Sequence, residues 1–146
     1  MKNLVLILLT SVLTTYGQTI KIVKTSGNIF LVPVSINNTL KMDFMIDTGA
    51  SETSIPKYII LSLVRTGSVK IEDILPGKTY TYADGKQYDS KRINIKEISI
   101  GTIKLNNVAV SVSENEMAPL LLGQNVLQQL GAVTFDYKNN LVVVKR

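Results

Sequence analysis

The chain is 146 residues long, the size of one domain, with sixteen basic and eleven acidic residues and a formal net charge of +5. It contains no cysteine and no histidine, which excludes disulfides, thiolate nucleophiles, Cys- or His-ligated metals and Ser-His-Asp catalysis. Its lysines are scattered, and its aromatic residues are six Tyr and three Phe with no Trp, a pattern of solvated basic surface rather than a nucleic-acid stripe. Hydrolytic chemistry in such a chain falls to carboxylates, Lys, Tyr, Ser or a metal held by oxygen.

Met1-Lys2-Asn3 followed by Leu4 to Leu9 has the basic start and apolar centre of a secretory signal peptide. Thr15 and Gly17 are small residues two apart, so cleavage is expected before Gln18, leaving a signal over 1–17 and one domain over 18–146. The apolar run is too short to span a bilayer, which needs about 20 residues. The expectation is export, to the periplasm or the medium, with no stable membrane span after cleavage.

From Thr19 the sequence reads as strands. Ile20 to Val23 alternates, Ser26-Gly27-Asn28 turns, and Ile29 to Ile36 is β-branched with Pro33 inside it. Asn37-Asn38-Thr39 is a hairpin turn, and Leu40 to Ile46 returns as an apolar strand. That strand delivers Asp47 into a turn of Thr48, Gly49, Ala50 and Ser51, where a carboxylate is costly unless hydrogen-bonded or used. Pro56 to Val64 is compatible with a short helix, Pro56 fitting its first turn, or with a strand. Leu75-Pro76-Gly77 reads as a turn, and Lys78 to Tyr82 as a strand. Ala83-Asp84-Gly85-Lys86 carries a tight-hairpin signal, and Gln87 to Ile100 forms the return arm. After the turn at Gly101-Thr102, Ile103 to Val112 is a hairpin broken at Asn106-Asn107. Pro119 to Gly123 reads as a continuous apolar strand, and Gln124 to Leu130 as a short helix capped by Asn125 with Val126, Leu127 and Leu130 inside. Ala132 to Tyr137 and Leu141 to Val144 are the last strands, joined by Lys138-Asn139-Asn140. The expectation is a mostly β domain with one short C-terminal helix.

A weak internal repeat runs through this order. Val32-Pro33-Val34-Ser35-Ile36 and Val108-Ala109-Val110-Ser111-Val112 share Val-x-Val-Ser and a β-branched end. The same interval separates Val32 from Val108 and Asp47 from Gly123, and in both halves an apolar strand reaches a glycine before a helix-capable segment.

Asp47-Thr48-Gly49 after an apolar strand, followed by Ala50-Ser51, resembles the active-site signature of the retropepsin-like aspartic peptidases, and Leu121-Leu122-Gly123-Gln124-Asn125 resembles their apolar-apolar-glycine brace. The resemblance covers about Ile29 to Val144. It implies a closed β-barrel lobe with an internal pseudo-twofold and a flap hairpin at Thr79 to Tyr88. It implies Asp47, Thr48 and Gly49 at the catalytic centre. It also implies substrate contacts from Ala50 and from Tyr82, Ala83, Asp84 and Gly85 of the flap, and structural support from Leu121, Leu122, Gly123 and Asn125. No metal or other cofactor is implied.

Peptide hydrolysis by carboxylates needs two of them sharing one proton. The sequence has a single Asp-Thr-Gly, and neither Asp84 nor Asp136 has its surroundings. The expected active form is therefore a homodimer joining two copies of Asp47, acting on a peptide or protein, with no role for nucleic acid. Many viral members carry an ion pair between Arg after the brace glycine and Asp two residues beyond the catalytic glycine. Gln124 and Ser51 stand there instead, so that pair is absent and no lone charge is left. Competing readings are a non-catalytic exported dimeric binding domain on the same fold and an exported β-barrel with a structural or lipid-binding task. A metal-dependent hydrolase is a more distant alternative, since the acidic residues do not cluster at ligand spacing.

Overall fold

The computed structural model describes residues 17–24, 27 and 29–145. The expected signal segment, apart from Gly17, lies outside them. Strand β1 (Gly17–Lys21) and the short β2 (Val23–Lys24) lead into β3 (Phe30–Ile36) and β4 (Leu40–Ile46). Next come β5 (Thr53–Pro56), helix α1 (Lys57–Arg65), β6 (Ile74–Thr81), β7 (Gln87–Ile100) and β8 (Ile103–Ser113). The chain ends with β9 (Leu121–Leu122), helix α2 (Gln124–Leu130), β10 (Ala132–Asp136) and β11 (Leu141–Lys145). The protein is mostly β, as its alternating apolar runs demand.

The strands form two sheets. The larger has the order β2-β3-β4-β9-β5-β8-β7-β6, with β3 also pairing β7; the smaller is β1-β11-β10. Two pairings in the larger sheet are parallel. Met45 and Ile46 of β4 partner Leu121 and Leu122 of β9, and β5 runs alongside β8 from Thr53 opposite Val110. The core is aliphatic around one phenylalanine: Val32, Val34 and Ile36 of β3, Phe44 of β4, Ile55 of β5 and Leu122 of β9 are all buried. Burial of one such side chain stabilises by about 1.5–3 kcal/mol.

Where the structure departs from expectation, the reasons are physical. Ile103 to Val112, expected as a hairpin broken at Asn106-Asn107, is one continuous strand paired with β7, with Ile95 opposite Val108 and Glu97 opposite Asn106. The buried positions change phase instead, from Ile93 and Ile95 to Ile98 and Ile100 on β7, and from Leu105 to Val108 on β8. Both strands swap faces at one point, and Asn107 at φ 54° takes up the bend. Leu75-Pro76-Gly77 is no turn but lies inside β6, where the register shifts between Leu75 and Lys78. A bulge accepts the proline that a regular ladder would reject.

The apolar run Pro119 to Gly123 supplies only the two strand residues of β9, and Pro119 is exposed. The open segment after Pro56 is a helix, so the described residues hold two α-helices rather than one, and Pro56 precedes α1 as its N-cap. Ile59, Ile60 and Leu63 face the core. The helix stops at Gly67, φ 69°, where the Ser68 and Gly67 N–H groups donate to the Leu63 and Val64 carbonyls, a Schellman closure.

Candidate active site

Strand β4 carries Phe44 into the core and ends at Ile46, so Asp47 emerges at the sheet's rim. The Met45 N–H donates to Leu120 O at 2.9 Å and the Asp47 N–H to Leu122 O at 3.1 Å, which fixes the backbone leading into the turn. The Gly49 and Ala50 N–H groups donate to Asp47 Oδ1 at 2.8 and 3.2 Å. Oδ2 carries no such bond among the described residues. The turn thus holds one oxygen with backbone donors and leaves the other open. Gly49 serves space here rather than a left-handed backbone: a Cβ would crowd Asp47 Oδ1 at 3.2 Å.

The brace lies directly behind the turn. Two N–H groups at the start of α2, which no helical carbonyl can reach, donate to the loop: Gln124 to Ala50 O at 2.8 Å and Asn125 to Ser51 O at 3.2 Å. The Gln124 side chain donates to Thr48 O at 2.9 Å. Gly123 is buried against the loop backbone, and a Cβ on it would sit 2.5 Å from the Glu52 carbonyl carbon and 2.7 Å from the Thr53 nitrogen.

Asn125 does not cap α2. The N-cap is Gly123, and Asn125 sits inside the first turn. Its Oδ1 accepts from the Thr53 N–H at 2.8 Å and the Thr53 hydroxyl at 3.0 Å, while its Nδ2 donates to Ala109 O at 2.7 Å. Thr53 Oγ1 accepts in turn from the Gly123 N–H at 3.1 Å. One amide therefore joins the end of the loop, the brace and β8.

Strands β6 and β7 form the hairpin opposite the turn, with Tyr80 facing Tyr88 and Thr81 facing Gln87 in the ladder. At its tip the Tyr82 N–H donates to Lys86 O, the Gly85 N–H to Tyr82 O and the Lys86 N–H to Asp84 Oδ1, each at 2.9 Å. Gly85 has φ 79°, which accounts for the Asp-Gly pair. A cavity of about 530 Å³ opens between hairpin and turn, within the size range of ligand sites.

Of the expected site residues, Asp47, Gly49, Ala50, Tyr82, Ala83 and Leu121 line this cavity. Thr48 borders a separate recess of about 220 Å³ with Ile46, Gln124 and Phe135. Asp84 and Gly85 stand at the exposed hairpin tip. Leu122, Gly123 and Asn125 form the support beneath.

Three further residues escaped the sequence reading. Glu52, directly after the turn, is only 7% exposed. Arg92 of β7 grips its carboxylate, with an η nitrogen 2.6 Å from Oε1 and Nε 3.0 Å from Oε2. The Tyr80 hydroxyl of β6 donates to Oε2. Burial pushes the Glu52 carboxyl up, but the hydrogen bonds from Arg92 and Tyr80 and the charges of Arg92 and Lys78 outweigh it and leave the carboxyl below its usual range. Burial and the Glu52 carboxylate together push the Tyr80 hydroxyl well above its ordinary value. The expected Ser51–Gln124 position holds no ion pair, and one residue further on a different pair has formed. The available signal was a second acidic residue, five positions after Asp47, in a loop with no basic residue of its own, which a buried site must neutralise.

A family model described as "gag-polyprotein putative aspartyl protease" matches residues 32–129. Among solved structures, a retropepsin-like aspartic protease from Rickettsia conorii is similar, with a TM-score of 0.63 and 21% sequence identity over 90% of this chain and 93% of that one. That likeness shows a retropepsin-like fold. No curated protein matches the sequence.

Proposed function

The chain belongs to the gag-polyprotein aspartyl protease family, and on that premise we propose that it is an aspartic endopeptidase, active as a homodimer with one Asp47 from each copy. The observation that carries this reading is Asp47 itself, held through one oxygen by backbone N–H groups and lining a cavity beneath a hairpin. In the dimer two such carboxylates share a proton. The ionised one takes a proton from water as the water attacks the scissile carbonyl, and the protonated one hydrogen-bonds the developing oxyanion. Repulsion between close carboxylates separates their apparent pKa values, which belong to the pair. In this reading Thr48 bonds across the dimer axis and the β6–β7 hairpin is the flap that covers the peptide and excludes water.

The reading also takes the lobe as a closed barrel with an internal pseudo-twofold. In support of closure, the pairings from β3 through β4, β9, β5, β8 and β7 return to β3. In support of the twofold, Met45 and Ile46 pair with Leu121 and Leu122, their counterparts in the sequence repeat. Export belongs to the same proposal and rests on the first seventeen residues; the mature protein should begin at Gln18 when recovered outside the cytoplasm.

The test is digestion of a denatured protein mixture by the wild type and by Asp47→Asn. Peptide-bond cleavage by the wild type, inhibited by a statine-type transition-state analogue and reduced to background in Asp47→Asn, is the expected result. Equal cleavage by both forms overturns the role of Asp47. No cleavage by either, with binding to a partner retained, favours a non-catalytic domain.

A further inference from the structure

Resting on the peptidase reading, we propose that Glu52, Tyr80 and Arg92 form a latch that ties the base of the flap hairpin to the catalytic turn within one subunit. The half-site is thereby set before a second copy or a substrate arrives.

The argument starts from how little else holds the hairpin. Residues 81–89 are all exposed, and Tyr80 is half-buried. Among the described residues, side-chain hydrogen bonds of 79–89 otherwise stay inside the hairpin, as between Thr79 and Asp89 at 2.6 Å; the next one down, from the Ser90 hydroxyl to Val112 O at 2.9 Å, ties the returning arm to β8. The Tyr80 hydroxyl leaves the hairpin to reach Glu52. A tall two-stranded ribbon without a packed face is marginal in water, so a polar tether at its base controls how often it opens.

Its anchor is rigid. Glu52 lies between the Asp47 turn and Thr53, whose N–H and hydroxyl are fixed by Asn125. The Glu52 backbone is packed on Gly123 so closely that no Cβ fits between them. One carboxylate on this support takes Tyr80 from the outgoing arm and Arg92 from the returning one, so both arms are registered on a single group next to the catalytic loop. Arg92 neutralises the charge with an η nitrogen at 2.6 Å, and Tyr80 occupies part of the acceptor capacity that remains. A hydrogen bond to an ionised acceptor is stronger than one between neutral groups. Arg92 also stands opposite Ser111 of β8 in the ladder, so the latch reaches the sheet floor as well.

The separation in function follows from placement. Flap amides near the tip would meet the peptide, while Tyr80 sets where those amides stand; Tyr80 is a positioning residue. Without it, ordering of the flap must accompany substrate binding and weakens it.

The experiment is hydrogen exchange on Tyr80→Phe, made in both the wild-type and Asp47→Asn backgrounds, with peptide kinetics in the former. Tyr80→Phe keeps the ring and leaves the Glu52–Arg92 pair intact. The expected result is amide exchange in residues 79–88 accelerated by about tenfold or more, and by clearly more than in β10 and β11. KM should rise while kcat stays within about twofold. Glu52→Gln, which keeps the shape and removes the charge, should accelerate the same segment. Unaltered flap exchange in both variants overturns the latch, as does acceleration spread evenly over the whole domain. Exchange is read in Asp47→Asn as well, so the latch is judged even if no peptide is ever cut. Absence of cleavage by the wild type counts against the peptidase reading alone.

Discussion

Asn125 does at residue scale what a longer element does elsewhere. Its amide accepts from the N–H and hydroxyl of fully buried Thr53 and donates to Ala109 O. Asn125→Ala strands those groups, and each buried polar group left without a partner costs about 1–3 kcal/mol. We expect a loss of about 3 kcal/mol in urea unfolding, together with loss of the proposed peptide cleavage, because the loop end is released. Gly123→Ala should cost about as much, since overpacking costs about 1–3 kcal/mol and the atoms in the way are Glu52 and Thr53 backbone. The sequence pattern misled at this point for a clear reason. Asn near the start of a helix signals a cap, and the true N-cap, Gly123, has no side chain to announce itself.

At the scale of elements, legibility followed locality. Asp84-Gly85 predicts a hairpin because the left-handed backbone at Gly85 is a demand of the turn alone. The strands around Val32, Phe44, Ile95 and Val110 declare themselves by β-branched and apolar runs, and the structure buries those residues. Leu75-Pro76-Gly77 carries the same residue types as a turn, yet the ladder on either side absorbs it as a bulge. Nothing within that tripeptide distinguishes the two outcomes. Strand β9 shows the limit from the other side. Only two residues long, it pairs with β4 and, through Leu121, with β5, so its strength comes from neighbours rather than length. Leu122 is fully buried at this junction. Leu122→Ala should therefore cost about 3 kcal/mol, within the usual range for emptying a leucine site, as read from urea midpoints.

Across the whole molecule, the latch between Glu52, Tyr80 and Arg92 could not be read from the sequence because its members come from three separate segments. Each looks ordinary alone. Together they give a pH signature. Glu52 has its carboxyl lowered in the folded state, so its contribution is present above the unfolded carboxylate value of 4.5 and is lost as pH falls through the lowered one. Tyr80 is raised, so its contribution is present below the unfolded value of 10.0 and is lost as pH rises beyond it. Thermal midpoints should thus fall off on both flanks. Tyr80→Phe should flatten the alkaline flank and Glu52→Gln the acid one, each lowering mid-pH stability by about 1–3 kcal/mol. Activity of the proposed dimer should also fall faster than linearly on dilution, since one Asp47 per copy leaves a lone subunit without a partner carboxylate.

The small sheet has a practical consequence. Its middle strand β11 lies against β1, and Gly17 is the ladder partner of Lys145. Facing residues in an antiparallel ladder are about 5 Å apart, so the two extremities of the described fold can be bridged by a few residues. A circularly permuted gene, opened in the exposed stretch from Glu114 to Met117, should fold into the same protein, with the Asp47 turn and its brace rejoined in reversed order along the chain.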